Sequence, residues 1–150
     1  MQDTKHVMNE NGLIVLAMRN GDLDTVDGLE TAMQVSLFTD ARLDETEMIE
    51  PFRRGGWVGN QFTDRQLGGK LYALENTRIT TAYIGRATDF AKKSFDWMIE
   101  DNVSRGVLCR VSAQGQDVKH NISMIARDGV RYDYRYLWLK TRPFDLSIAP

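Results

Sequence analysis

Val107-Leu108-Cys109-Arg110-Val111, Ile122-Ser123-Met124-Ile125-Ala126 and Tyr132-Asp133-Tyr134-Arg135-Tyr136-Leu137-Trp138 are three runs with one period, separated by Gln114-Gly115-Gln116 and by Asp128-Gly129. Neighbouring side chains of a β-strand point to opposite faces, so a period of two sets Val107, Cys109 and Val111 apart from Leu108 and Arg110, sets Ile122, Met124 and Ala126 apart from Asn121, Ser123 and Ile125, and lines one face with Tyr132, Tyr134, Tyr136 and Trp138. Asp-Gly between alternating runs is a strong hairpin signal, because a type I′ turn needs positive φ at both central positions. The stretch predicts a three-stranded antiparallel meander over Val107–Val111, Val118–Ala126 and Arg131–Trp138.

Upstream, the period changes to 3.6. Ala87, Phe90, Ala91, Ser94, Phe95 and Met98 recur at helical spacing, with Lys92, Lys93 and Asp96 opposite. This predicts a helix capped by Asn76 or Thr77, bent at Gly85 and running to about Asp101. Leu29, Ala32, Met33, Ser36 and Leu37 mark an earlier helix that stops near Thr39-Asp40, and Asp27 with Glu30 has the form of a capping box. Asn20-Gly21, between Leu13–Met18 and Asp22–Val26, predicts an N-terminal hairpin. Leu67 to Leu74 reads as a short helix. Residues 40–66 show neither period, and so long a structureless stretch in a compact domain points to function. Helices against a mainly antiparallel sheet define an α+β fold. The expected organisation is one domain over residues 1–150, with flexible tails at 1–10 and 140–150.

Composition narrows the function classes. The 150 residues carry 19 Lys and Arg against 21 Asp and Glu, a net charge of −2. Such a chain lacks the basic field that non-specific nucleic-acid binding requires. Charge is divided unevenly: 7 basic and 13 acidic residues precede position 76, and 12 basic and 8 acidic residues follow. The single cysteine, Cys109, forms no internal disulfide and no thiolate-rich zinc site, and its alternation makes it a small buried hydrophobe. No apolar run approaches the roughly 18 residues of a membrane span, and Met1 to Glu10 has no signal-peptide pattern.

Chemistry-bearing clusters are few. Asp22, Asp24 and Asp27 invite calcium, but an EF-hand loop begun at Asp22 puts Val26 fifth and Asp27 sixth, where a ligand and glycine belong. His6 and His120 fall in separate elements, His120 among residues read as exposed. No Gly-x-Ser-x-Gly elbow is present. Neither a metal, a cofactor nor a catalytic residue is therefore assigned. Glu47, Glu50 and Asp64 are the carboxylates available for acid–base work on a sugar, which keeps a small peptidoglycan hydrolase as the alternative. Glu50-Pro51-Phe52-Arg53-Arg54-Gly55-Gly56-Trp57 joins a carboxylate, two guanidiniums and a large aromatic, the side chains that anchor buried interfaces. The residues alone leave two readings open, Trp57 in the domain's own core or Trp57 at an interface.

Asp27-Gly28-Leu29-Glu30-Thr31-Ala32, Val35-Ser36-Leu37-Phe38-Thr39-Asp40 with Arg42, Arg54-Gly55-Gly56-Trp57 with Gly59, Leu67-Gly68 with Leu71, and Ala91 to Asp101 around Trp97 occur in an order that resembles the small baseplate protein of Mu-like contractile-tailed phages. That family is similar to the sheath-initiator wedge protein of contractile tails. Two positions depart from it: Val58 stands where a second aromatic is usual, and Gly69-Lys70-Leu71-Tyr72 replaces Ser-Arg-Leu-Trp. The resemblance implies a non-enzymatic virion component, assembled in the host cytoplasm and present as six copies around the tail tube. The sheath-initiator relatives hold the wedge proteins together through a Glu-Pro-Arg-type motif, to which Glu50, Pro51 and Arg53 are similar with one extra residue in the spacing, and Arg54 and Trp57 are the further candidate contacts to wedge proteins and the tube or spike hub. The resemblance further implies that a sheath subunit adds a strand to the C-terminal sheet, at the edge carrying Tyr132, Tyr134, Arg135 and Tyr136, with neither nucleic acid nor membrane as a partner.

Overall fold

The computed structural model describes residues 2–9, 11, 14–48 and 54–138. Six short strands, β1 (Gln2–Thr4), β2 (His6–Met8), β3 (Ile14–Leu16), β4 (Met18–Arg19), β5 (Asp22–Leu23) and β6 (Thr25–Asp27), lead into helix α1 (Gly28–Phe38). Two 3-10 turns, Val58–Phe62 and Leu71–Leu74, precede α2 (Thr81–Ser94) and α3 (Asp96–Glu100). The described chain closes with β7 (Ser104–Gln114), β8 (Asp117–Ala126) and β9 (Arg131–Trp138). The class is α+β, as the two periodicities predict.

The long sheet has the order β7-β8-β9, antiparallel throughout. Cys109 lies opposite Ile122 and Ile122 opposite Tyr134, so one face carries Val107, Cys109, Val118, Ile122, Met124 and the three tyrosines. That face packs on the helices. Met33 and Leu37 of α1, Ala87, Phe90 and Ala91 of α2, and Phe95 and Met98 complete the core with Leu71 and Leu74. Each large side chain buried there contributes roughly 1.5–3 kcal/mol relative to exposure. His120 shares this face and is fully buried, where the sequence reading had it exposed. Its register opposite Val111 and Tyr136 settles the face, and burial pushes its imidazole pKa down to about 4.

Helix α1 spans its expected extent, with Met33, Ser36 and Leu37 buried. The α2 stripe also faces the core as read, but its ends differ. Thr80, not Asn76 or Thr77, caps the helix: its hydroxyl accepts from the Tyr83 amide at 3.2 Å. Helix continues through Gly85, and the interruption falls at Phe95, whose amide bonds back to Lys92 and Lys93. Asn102, at φ 55°, ends α3 in the left-handed conformation that asparagine tolerates.

At the N-terminus the expected hairpin about Asn20-Gly21 is present, with φ of 54° and 84° at those residues. It is one of three two-stranded ladders, β1-β6, β2-β3 and β4-β5. They radiate from a ring of three backbone hydrogen bonds: Lys5 N–H to Asp24 C=O, Asp24 N–H to Ala17 C=O, and Ala17 N–H to Lys5 C=O, each 2.8 Å. The strands of residues 2–8 escaped the periodicity because three-residue segments hold no full alternation. The Asp27 side chain, on which the capping box depends, lies outside the described residues, as does 140–150.

Candidate partner-binding interface

Residues 54–72 fold back on the end of α1. Gly69 N–H donates to Thr39 C=O and Ala41 N–H to Gly69 C=O, while Trp57 N–H bonds Asp40 C=O at 2.8 Å and Leu43 N–H bonds Arg54 C=O at 2.9 Å. The Tyr72 hydroxyl is shared between Ala41 C=O at 2.7 Å and Arg54 C=O at 2.6 Å. Gly55 sits against that ring at φ +57°, where a Cβ would collide with it. Asn60 clasps Leu67 from both sides, accepting from its amide and donating to its carbonyl. Thus a stretch without period is held by backbone bonding, and Ala41 and Leu43 are buried within it. Tyr72 and Gly69, two of the positions that depart from the resembled pattern, are part of this lock.

Trp57 is not a core residue. It is 47% exposed, its indole lies over Gly59, and the turn that follows exposes Val58 and Phe62. Between this turn and α3 runs a groove of about 590 Å³ lined by Trp57, Asp64, Arg65, Leu67, Trp97 and Asp101. Trp97 is anchored from below, its Nε1–H donating to Ser36 Oγ at 2.8 Å. Arg65 makes a forked contact with Asp101 at 2.7 and 3.0 Å, which raises the guanidinium pKa and lowers that of the carboxyl. Arg54 reaches Glu45 at 3.0 Å and stays partly exposed. Glu50, Pro51 and Arg53 lie outside the described residues.

Of the carboxylates considered for acid–base work, Glu47 is held by Lys70 at 2.6 Å, with Lys93 at 3.9 Å and the Asp44 amide at 3.0 Å. Burial works to raise its pKa, and the Lys70 bond, the Asp44 amide and the two ammonium charges outweigh that and lower it. A general acid needs the opposite shift. Asp64 stands across the loop at the Trp57 groove. In the N-terminal aspartate cluster, Asp24 pairs with Arg19 at 3.3 Å and Lys5 at 3.9 Å, so turn and ion-pair chemistry account for it.

The second predicted surface is β9. Tyr132, Tyr134 and Tyr136 turn their rings toward the core, Tyr136 edge-on to Phe38 and stacked on Tyr134. Arg131, Asp133 and Arg135 point outward. Ala126 N–H bonds Val130 C=O, which sets the phase of the antiparallel ladder. By that phase the amides of Tyr132, Tyr134 and Tyr136 face β8, and those of Asp133, Arg135 and Leu137 face the far edge. No strand pairs with that edge among the described residues. The far edge of β9 thus carries the amides of Asp133, Arg135 and Leu137, while its tyrosines serve the interior.

Reading the sequence missed Val58 and Phe62, whose exposure follows from a turn that buries nothing. It also missed the Ser36–Trp97 bond, which joins positions 61 apart. The quoted motifs held a signal for it, since both residues belong to them. Residues 29–131 match the family described as phage protein GP46. The chain is 31% identical over 90 residues to the baseplate protein gp46 of Escherichia phage Mu, covering 59% of this chain and 62% of that protein. It is 30% identical over 100 residues to the Mu-like prophage FluMu protein gp46 of Haemophilus influenzae, covering 66% and 67%. The matched stretch thus spans about three-fifths of the Mu protein's length. The family match over residues 29–131 runs from α1 into the start of β9, taking in the loop lock, the Trp57 groove and the Ser36–Trp97 bond, and on that match the chain belongs to the phage protein GP46 family.

Proposed function

We propose that this chain is a structural component of a phage tail baseplate, located in the virion after assembly in the host cytoplasm, and not an enzyme. It joins the wedge to the tail tube and gives the sheath its first strand-pairing edge, as six copies around the tube. The Mu relative named a baseplate protein supports the setting. The observation that carries the mechanism is the β9 edge, which no strand pairs among the described residues, since edge amides and carbonyls template a further strand. A sheath strand adding there would take hydrogen bonds from Asp133, Arg135 and Leu137. Glu50, Pro51, Arg53, Arg54 and Trp57 form the wedge contact in this reading, with the half-exposed indole as its apolar anchor.

The test is Arg135→Pro. Proline removes an amide that points away from β8, so the meander keeps its internal bonds while the outer edge loses a donor. Baseplates carrying this variant are expected to assemble and to nucleate no sheath. Full-length sheath on them contradicts strand addition at β9. Cell-wall zymography of the unaltered chain checks the hydrolase alternative, with no clearing expected.

A further inference from the structure

The N-terminal arm and the outer face of the long sheet are complementary in two independent ways, and we propose that they meet between copies: the arm of one chain docks head to tail on the outer sheet face of the next. The arm is thinly supported. Its ladder β1-β6 rests on α1, while β2-β3 and β4-β5 have two strands each, and a two-stranded ladder is marginal in water without cover. Two cross-strand pairs, Val7 with Val15 and Met18 with Leu23, are apolar and exposed on both sides, Met18 at 62%. Cross-strand pairs stabilise a sheet by themselves, and covering them adds the free energy of apolar burial. The arm is also acidic: residues 2–27 hold five carboxylates against Lys5 and Arg19.

The outer sheet face is the counterpart. Arg110, Lys119, Arg131 and Arg135 line a depression of about 590 Å³ there, with Asp133 as its one acid. Asp133 is already bonded to Ser123 and Arg131, which lower its pKa. Exposed Leu108, Ile125 and Leu137 interleave with these cations. A basic surface with apolar rungs fits an acidic arm with apolar rungs. Apolar rungs and the central carboxylate make the same face a poor match for phosphate.

Geometry excludes docking within one chain as the simple solution. The arm is rooted through β1 and β6 on α1, which packs on the inner face of the sheet. The basic face is on the opposite side. Each copy therefore presents one arm and one face, and a heterologous contact of that kind propagates around a ring or along a filament. The arm lies before the residues that match the family. The docking uses the sheet's face and leaves the β9 edge free, so it goes beyond the proposed function and stands independently of strand addition.

The experiment is sedimentation of the full chain over a concentration series, at low and high salt, with two exposed-site variants. Met18→Lys with Leu23→Lys spoils the arm; Arg110→Glu with Lys119→Glu spoils the face. Unaltered protein is expected to associate with rising concentration and to dissociate in high salt. Each variant alone is expected to remain monomeric with an unchanged melting midpoint. Mixed in equal amounts, the two should form a one-to-one dimer and nothing larger, because the mixture holds one intact arm and one intact face. Unaltered protein that stays monomeric overturns the proposal. So does association of either variant at the wild-type level, or a mixture that stays monomeric.

Discussion

The N-terminal arm and the C-terminal meander are built from the same kind of backbone pairing and differ in what stands behind it. β8 runs between two partners and buries Val118, His120, Ile122 and Met124 against three helices. The ladders β2-β3 and β4-β5 have one partner each and turn Val15, Leu16, Met18 and Leu23 outward. Strand pairing alone returns little net free energy, because hydrogen bonds to water are exchanged for internal ones. Burial of an apolar face supplies the rest. The meander finds its cover in the helices of the same chain, whereas these ladders leave apolar side chains exposed.

The sharpest way to break that comparison is to cut into both. Ile122→Ala should cost about 2–5 kcal/mol, since it opens a cavity between sheet and helices. The measurement is denaturant unfolding of the full chain. A loss well below that range would mean that the sheet is not the load on which the fold depends.

His120 gives the next effect, through pH. Its folded pKa is lowered by burial to about 4, against 6.5 for the free group. Between these values the unfolded chain binds more protons, so stability rises with pH there. The contribution is complete above about pH 6.5 and is lost as pH falls toward about 4, by an amount on the order of 3 kcal/mol. His120→Leu is expected to flatten this dependence in unfolding curves taken across pH 5 to about 6.5. An equal slope in the variant would remove His120 from the buried face.

Trp97→Phe keeps most of the ring and removes the donor to Ser36. Ser36 Oγ still donates to Ala32 C=O at 2.7 Å, so the expected loss is about 1 kcal/mol. Chemical denaturation of the pair Trp97→Phe and Ser36→Ala, singly and together, would show their coupling. Smallest of all, Met18→Ser on the arm should change the stability of the isolated chain by less than about 0.5 kcal/mol. A loss comparable to Ile122→Ala would make the arm part of the fold.

The two regions also differ in how much of them was legible. The meander announces itself because strands of 11, 10 and 8 residues give the period room to repeat and Asp128-Gly129 marks the turn. Helix α1 and the α2 stripe were readable for the same reason, with a wide apolar face against polar neighbours. β1 was not, because Gln2, Asp3 and Thr4 carry no pattern of their own and pair with residues over twenty positions away, and β2 is too short at three residues to show a period. The loop of residues 54–72 is set by backbone bonds to the end of α1 and by the Tyr72 hydroxyl, in a stretch read as a short helix. Motif content left Trp57 between core and interface, and its half-exposed position over Gly59 takes it out of the core. Thr80 escaped as a cap because Asn76 and Thr77 offered the same chemistry a turn earlier.

Amide hydrogen exchange on the isolated full-length chain, and again on the chain within assembled baseplates, tests the division between body and arm most directly. In isolation, the β8 amides should exchange only through global unfolding, while those of Val7, Val15 and Leu23 exchange through local opening with little protection. On assembly, the arm amides should become protected and those of β8 should change little. Arm amides as protected as β8 in the isolated chain would contradict the account.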